Sequence, residues 1–169
     1  MRTELVHLNS ILLGGFSFYG DPISTKGGWD TENEIGKTFS RFTRHWLENP
    51  QRAYSVGINR VYEVHIYGPE TPTNGIFEVF IGEEVTTSQL PINLSSKFIE
   101  AADYLKVTLC GEEIVSDWFC DITKEVLAPL GVRVRNNYLL QVYDERFKSM
   151  EQVKESIMEA YLPVERTPV

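Results

Sequence analysis

The chain is poor in cysteine, with two in 169 residues, Cys110 and Cys120. They fit neither a zinc nor a redox spacing, and so few cysteines suit a reducing compartment, so the cytoplasm is expected. Positive charge is scarce as well. Sixteen Lys and Arg stand against 24 Asp and Glu, a net charge of −8. Such a chain repels phosphate backbones, so direct nucleic-acid binding is not expected, whereas cationic partners are favoured. No apolar run is long enough to span a bilayer. The N-terminal stretch MRTELVHLNSILLGGF is interrupted by polar residues and lacks a cleavage site, so it is not read as a signal peptide, and no membrane partner is expected. Gly-x-Ser-x-Gly, Walker and dinucleotide fingerprints are missing. The three histidines, His7, His45 and His65, keep no metal-ligand spacing. No metal, cofactor or catalytic residue is therefore assigned.

Aromatic side chains are plentiful at 12%: nine Phe, eight Tyr and three Trp. With 42% hydrophobic and 24% charged residues, a packed core is expected, and surplus rings line pockets. The length suits one domain over 1–169.

Along the chain, residues 5–18 read as a strand with a bulge at Gly14–Gly15, followed by a Gly- and Pro-rich loop carrying Trp29. Thr31 and Glu34 form a capping-box signature. Ile35, Phe39, Phe42 and Trp46 then repeat at helical spacing until Asn49–Pro50. Residues 60–69 and 76–85 read as a hairpin across a turn region. Residues 95–111 read as one long strand, bulged at Ala101–Ala102. Residues 112–131 read as a second amphipathic helix, striped by Val115, Trp118 or Phe119, Ile122 and Val126. VRVRNN reads as a solvated turn, 138–147 as a strand and 156–164 as a last strand.

The order strand, helix, strand, strand thus occurs twice, over about 5–85 and 97–164. This predicts an α+β fold: a tandem βαββ repeat whose antiparallel strands form a curved sheet, or two sheets, around a central groove, with helices on the outer face. Equivalence of the repeats pairs Glu63 with Gln141 and Glu78 with Glu159. The stretch NGIFEVFIGEEV poses the functional question, because Glu78 interrupts an otherwise apolar strand. Alternation puts Glu63, His65 and Tyr67 on one face of their strand and Glu78 with Phe80 on one face of the next. Gln141 accompanies Tyr143, and Glu159 accompanies Tyr161. If the uniformly apolar faces pack on the helices, the mixed faces line the groove, and acids framed by rings make a site for a cation. Tyr104 is added as a cap on the pocket, Trp118 as a core residue that shows an edge to the groove, and Trp29 as a lid.

The helix IGKTFSRFTRHW, the strand FEVFIGEEV, the segment FIEAADYLKVTLCG, the strand LLQVYDE and the ending IMEAYLPV together resemble a known family. It is the effector-binding domain of AraC-type and multidrug-responsive bacterial regulators, which also stands alone in GyrI-like proteins and in proteins of mobile gene cassettes. SOUL haem-binding proteins have a related fold. The resemblance implies a stand-alone ligand-binding domain without a DNA-binding domain. It implies sensing or sequestration of an amphipathic, cationic, drug-like molecule, with a homodimer or a separate DNA-binding protein as macromolecular partner. The resemblance implies that the family glutamate lies in a pattern of aromatic or aliphatic residue, Glu, any residue and Tyr, and the matching residues here are Leu140-Gln141-Val142-Tyr143. The tyrosine is kept and the acid is not, so Glu63, Glu78 or Glu159 would have to replace it. The resemblance also admits a GyrI-like hydrolase, a gyrase-inhibitor-like interaction module, and a haem role resting on His65 alone.

Overall fold

The computed structural model describes residues 1–167; the last two residues of the expected 1–169 domain lie outside it. Among the described residues, β1 (Arg2–Leu8), β2 (Ile11–Gly20), β3 (Val61–Tyr67), β4 (Phe77–Glu84), β5 (Ser95–Ile99), β6 (Ala102–Cys110), β7 (Val132–Val134), β8 (Tyr138–Tyr143) and β9 (Ile157–Arg166) form one curved sheet. Its order is β1-β6-β9-β8-β3-β4-β2-β5, with β7 paired to the far end of β9, and every pair is antiparallel.

The order is symmetric about the β3–β8 pair. From that centre each half runs outwards as second, third and first strand of its βαββ unit: β3-β4-β2 on one side and β8-β9-β6 on the other. Of the three remaining strands, β1 and β5 are exchanged. β1 leads into β2 but pairs with β6, and β5 leads into β6 but pairs with β2. Leu8 faces Ala102 and Ile11 faces Ile99, so both ladders keep one register across the two breaks.

The expected long strands over 5–18 and 95–111 are thus each two strands, broken at Asn9–Ser10 and Glu100–Ala101. No bulge occurs at Gly14–Gly15, where the β2–β4 register is unbroken. These positions instead let two backbones close up. A Cβ at Gly15 would stand 2.0 Å from the Ile81 carbonyl oxygen and one at Gly82 2.4 Å from that of Gly14.

Helix α1 (Glu34–Glu48) is capped by Asn33, whose side chain accepts from the Gly36 amide, and not by Thr31. The turn after β3 contains a single helical turn, α2 (Thr71–Asn74). The expected helix over 112–131 is broken. A 3₁₀ turn (Gly111–Val115) ends at Ser116, α3 (Trp118–Asp121) follows, and it widens into a π-helical turn (Ile122–Val126). Ser116 and Asp117 leave helical geometry at the break, and this rotates the stripe to Ile114, Trp118 and Ile122, leaving Val115 about half exposed. VRVRNN is not a solvated turn but contains β7.

Two cores form, one on each face of the sheet. Phe42, Val79, Ile81, Leu105, Ile114, Trp118, Ile122 and Met158 pack beneath the helices. Leu13, Tyr62, Val64, Phe80, Tyr104 and Leu140 fill the other side of the curve.

Candidate functional site: a ring-lined cavity over the central strand pair

Cross-strand register decides which side chains meet. On β3 and β8, Glu63 faces Gln141 and Val61 faces Tyr143. On β3 and β4, Glu63 faces Ile81, His65 faces Val79 and Tyr67 faces Phe77. Paired residues in a ladder share a face. Glu63, His65, Tyr67, Phe77, Gln141 and Tyr143 therefore look towards the helices. Between this face, α1 and the α3 segment lies a cavity of about 940 Å³. Ile35 and Phe39 of α1 form one wall, Ile114 and Trp118 the other, and Glu63, His65, Gln141 and Tyr143 the floor.

Glu63 is 3% exposed. One carboxylate oxygen accepts from His65 Nε2 at 2.6 Å and the other from the Tyr143 hydroxyl at 2.9 Å. The same hydroxyl lies 3.2 Å from Gln141 Oε1. His65 Nδ1 lies 3.4 Å from the Tyr67 hydroxyl. Among the described residues no Lys or Arg pairs with Glu63. Burial, then the charge of Glu63 and its hydrogen bond, push the Tyr143 phenol well above its ordinary value. Burial, then the Glu63 charge, push Tyr67 up to about 12. Both phenols therefore keep their protons at neutral pH, and Tyr143 serves as a donor to the carboxylate. A buried carboxylate needs such donors or a cation to remain charged.

Rings surround it. Phe39 and Trp29 meet the Tyr143 ring edge-on at 5.5 and 6.1 Å. Phe147 packs on Tyr143 at 4.9 Å and stacks on Trp29 at 6.3 Å. Trp29 reaches this place because its loop is tied to the start of α1. Asn33, the cap, also donates from Nδ2 to the carbonyls of Gly28 and Lys26, at 2.9 and 3.3 Å. Gly36 lets the loop lie close, since a Cβ there would stand 2.4 Å from the Asp30 carbonyl oxygen.

Residues 4–164 match the family model of Cass2, integron-associated effector binding protein. The chain belongs to this family. Its fold is similar to that of SAV2435 bound to tetraphenylphosphonium (TM-score 0.68, 14% identity, 98% of this chain and 94% of that one). It is similar to EcmrR in its DNA complex (0.67, 13%, 98% and 58%). It is also similar to an integron cassette protein from the mobile metagenome of Vibrio cholerae (0.58, 14%, 96% and 95%). No curated protein matches the sequence. As a Cass2 member with the GyrI-like fold, the chain is an effector-binding domain.

Within that fold, Glu63, His65, Trp118, Gln141 and Tyr143 come together at the cavity. Tyr67 shares the face but stands behind His65, in ring contact with it and with Phe77. The expectation that all mixed faces share one groove is corrected for five residues. Glu78 faces Ile66, Phe80 faces Val64, Glu159 faces Val142 and Tyr161 faces Leu140, so these four look away from the cavity. Tyr104 is buried in the second core, bonded to the Tyr138 hydroxyl at 2.7 Å. Glu78 meets Lys97 at 2.8 Å, and Glu159 meets Arg146 at 2.9 Å and Lys106 at 3.1 Å. These two acids already have cationic partners from the chain itself. Phe39 carried a core signal at the sequence level and serves both the core and the cavity wall. Phe77, Phe147 and Ile114 carried no signal of a cavity role.

Proposed function

We propose that this domain binds amphipathic organic cations, with the positive charge against Glu63 and the apolar groups among Trp29, Phe39, Trp118 and Tyr143. One observation carries the reading: a carboxylate that is 3% exposed opens onto a ring-lined cavity, and among the described residues no Lys or Arg is paired with it. In such a low-dielectric place a cationic ligand gains Coulomb attraction to Glu63 and cation–π attraction to the rings. The cavity volume suits a drug-sized molecule. A relative of like fold holding tetraphenylphosphonium supports the reading. In this reading the domain acts in the cytoplasm as a sensor or sequestering protein of a multidrug response.

The test is a titration with tetraphenylphosphonium and a neutral aromatic analogue, followed by tryptophan fluorescence, on the wild type and Glu63→Gln. The cation should bind in preference to the neutral compound, and the variant should lose about tenfold or more in affinity, ~1.4 kcal/mol. Equal binding of both compounds, or an unaffected variant, would overturn the assignment.

A further inference from the structure

We propose that His65 is a specificity-determining residue of this cavity: its protonation state sets whether the floor carries a net negative charge and accepts cations, or is neutral and does not. The inference rests on the cation-binding reading and adds to it the device that controls the site.

The geometry is specific. An ionised carboxylate can only accept, so His65 Nε2, at 2.6 Å from Glu63, carries a hydrogen in the pair. Two charge states satisfy that requirement. In the neutral ring Nδ1 is bare and accepts from the Tyr67 hydroxyl; in the imidazolium Nδ1 carries a hydrogen and the same hydroxyl turns to accept. Tyr67 retains its proton in either case, since its phenol is pushed up to about 12 by burial and the Glu63 charge. Both states therefore fit one arrangement of heavy atoms, and no rearrangement is needed to pass between them. With neutral imidazole the Glu63–His65 pair carries one negative charge. With imidazolium the pair is an internal salt bridge, and a ligand cation must compete with a counterion already in place at 2.6 Å.

The surroundings leave this exchange to His65. The groups facing the pair from β4 are Ile81, Val79 and Phe77, and from β8 Leu139, neutral Gln141 and the protonated Tyr143 phenol. From the α3 side Ile114, Ser116 and Trp118 line the cavity without charge. The other charged residues of the lining are Asp30 ahead of α1 and Arg44 and Glu48 upon it. Asp30 is paired with Lys26, and the α1 residues lie on the exposed side of the helix. Imidazole changes charge between about pH 5 and 8, a range that exposed carboxylates and arginine do not share.

The test uses tetraphenylphosphonium, whose charge does not depend on pH. Calorimetric titration is run at about pH 8 and about pH 5.5, the two sides of the range in which an unperturbed imidazole changes charge. Affinity should fall about tenfold or more at the lower pH. Near neutrality, binding should release protons, seen as a heat that changes with the ionisation enthalpy of the buffer. In His65→Gln the ratio of affinities at the two pH values should collapse towards one. The proton release is measured on the wild type, so the test does not depend on the variant folding. If the cation binds equally at both pH values without proton release, the role of His65 is overturned while the cation reading stands. A pH effect that persists unchanged in His65→Gln overturns it as well. Failure of the cation to bind at about pH 8 overturns both.

Discussion

Glu63 and Gln141 face each other across the central β3–β8 pair, and they are also each other's counterparts in the two halves of the chain. The approximate twofold axis of the molecule thus passes between an acid and its amide equivalent. Gln141 is the position where the sequence departs from the glutamate pattern that the resemblance implies. A glutamate at 141 would stand directly opposite the buried Glu63, and two carboxylates there cannot both ionise without strong repulsion. The acid lies one strand across the axis, and Tyr143 reaches over to it.

Gln141→Glu should therefore destabilise the protein by about 1–3 kcal/mol at neutral pH. One carboxyl of the new pair would hold its proton above the unfolded value. The folded state would then bind more protons than the unfolded one, and the penalty should grow as pH rises and shrink on acidification. Urea denaturation of the variant and the wild type at several pH values measures this.

Tyr143→Phe removes the donor to one oxygen of Glu63 and keeps the ring contacts. Hydrogen bonds to buried charged groups contribute about 1.5–3 kcal/mol, and a loss of that order is expected in urea denaturation. No change in stability would mean that the hydroxyl has no role in holding the charge.

Glu63→Gln should weaken tetraphenylphosphonium binding, whereas Glu78→Gln and Glu159→Gln should leave it within about twofold, because both acids look away from the cavity and are paired with chain cations. Titration of the three variants side by side decides which acid serves the ligand. A large loss in Glu78→Gln would contradict the face assignment.

Glu159 governs acid stability instead. Burial would raise its carboxyl, but the bonds from Tyr161, Arg146 and Lys106 outweigh that, and the group titrates below its ordinary value. A carboxyl depressed in the folded state contributes stability above its unfolded value of about 4.3, and that contribution fades as pH falls through the folded one. Glu159→Gln should be less stable than the wild type at neutral pH by about 1 kcal/mol, with the gap closing towards about pH 3. Thermal melts across that range measure it.

Trp29→Ala should speed ligand release by about tenfold, since most affinity changes within one site appear in the off-rate. Trp29 packs on Tyr143 and Phe147 over the cavity yet is 41% exposed, so stability should change little. Stopped-flow displacement of tetraphenylphosphonium reads the rate.

The βαββ repeat was legible in the sequence because two helical stripes and the strand alternations recur in the same order. That Glu63 shares a face with His65, and Gln141 with Tyr143, was legible from strand alternation. The registers of neighbouring strands were not. Alternation tells which residues of one strand share a face, but pairing Glu63 with Ile81 and Ile66 with Glu78 is set by tertiary structure. That is why Glu78 read as a groove acid and is not one. The break at Asn9–Ser10 was invisible and the one at Glu100–Ala101 read only as a bulge, because both flanks keep strand-forming residues and only the exchange of partners reveals the breaks. Asn33 was hidden behind a more obvious cap at Thr31, because its second task, holding the loop carbonyls, involves residues before the helix.

The exchange of β1 and β5 has a mechanical consequence. Each half of the molecule donates its leading strand to the edge of the other, so neither can detach from its twin without stripping a ladder from both. The seam between the halves is also the cavity floor, where β3 meets β8. A molecule lodged there is gripped by two interlocked hands that cannot open separately, and its binding energy is felt by the unfolding of the whole chain at once.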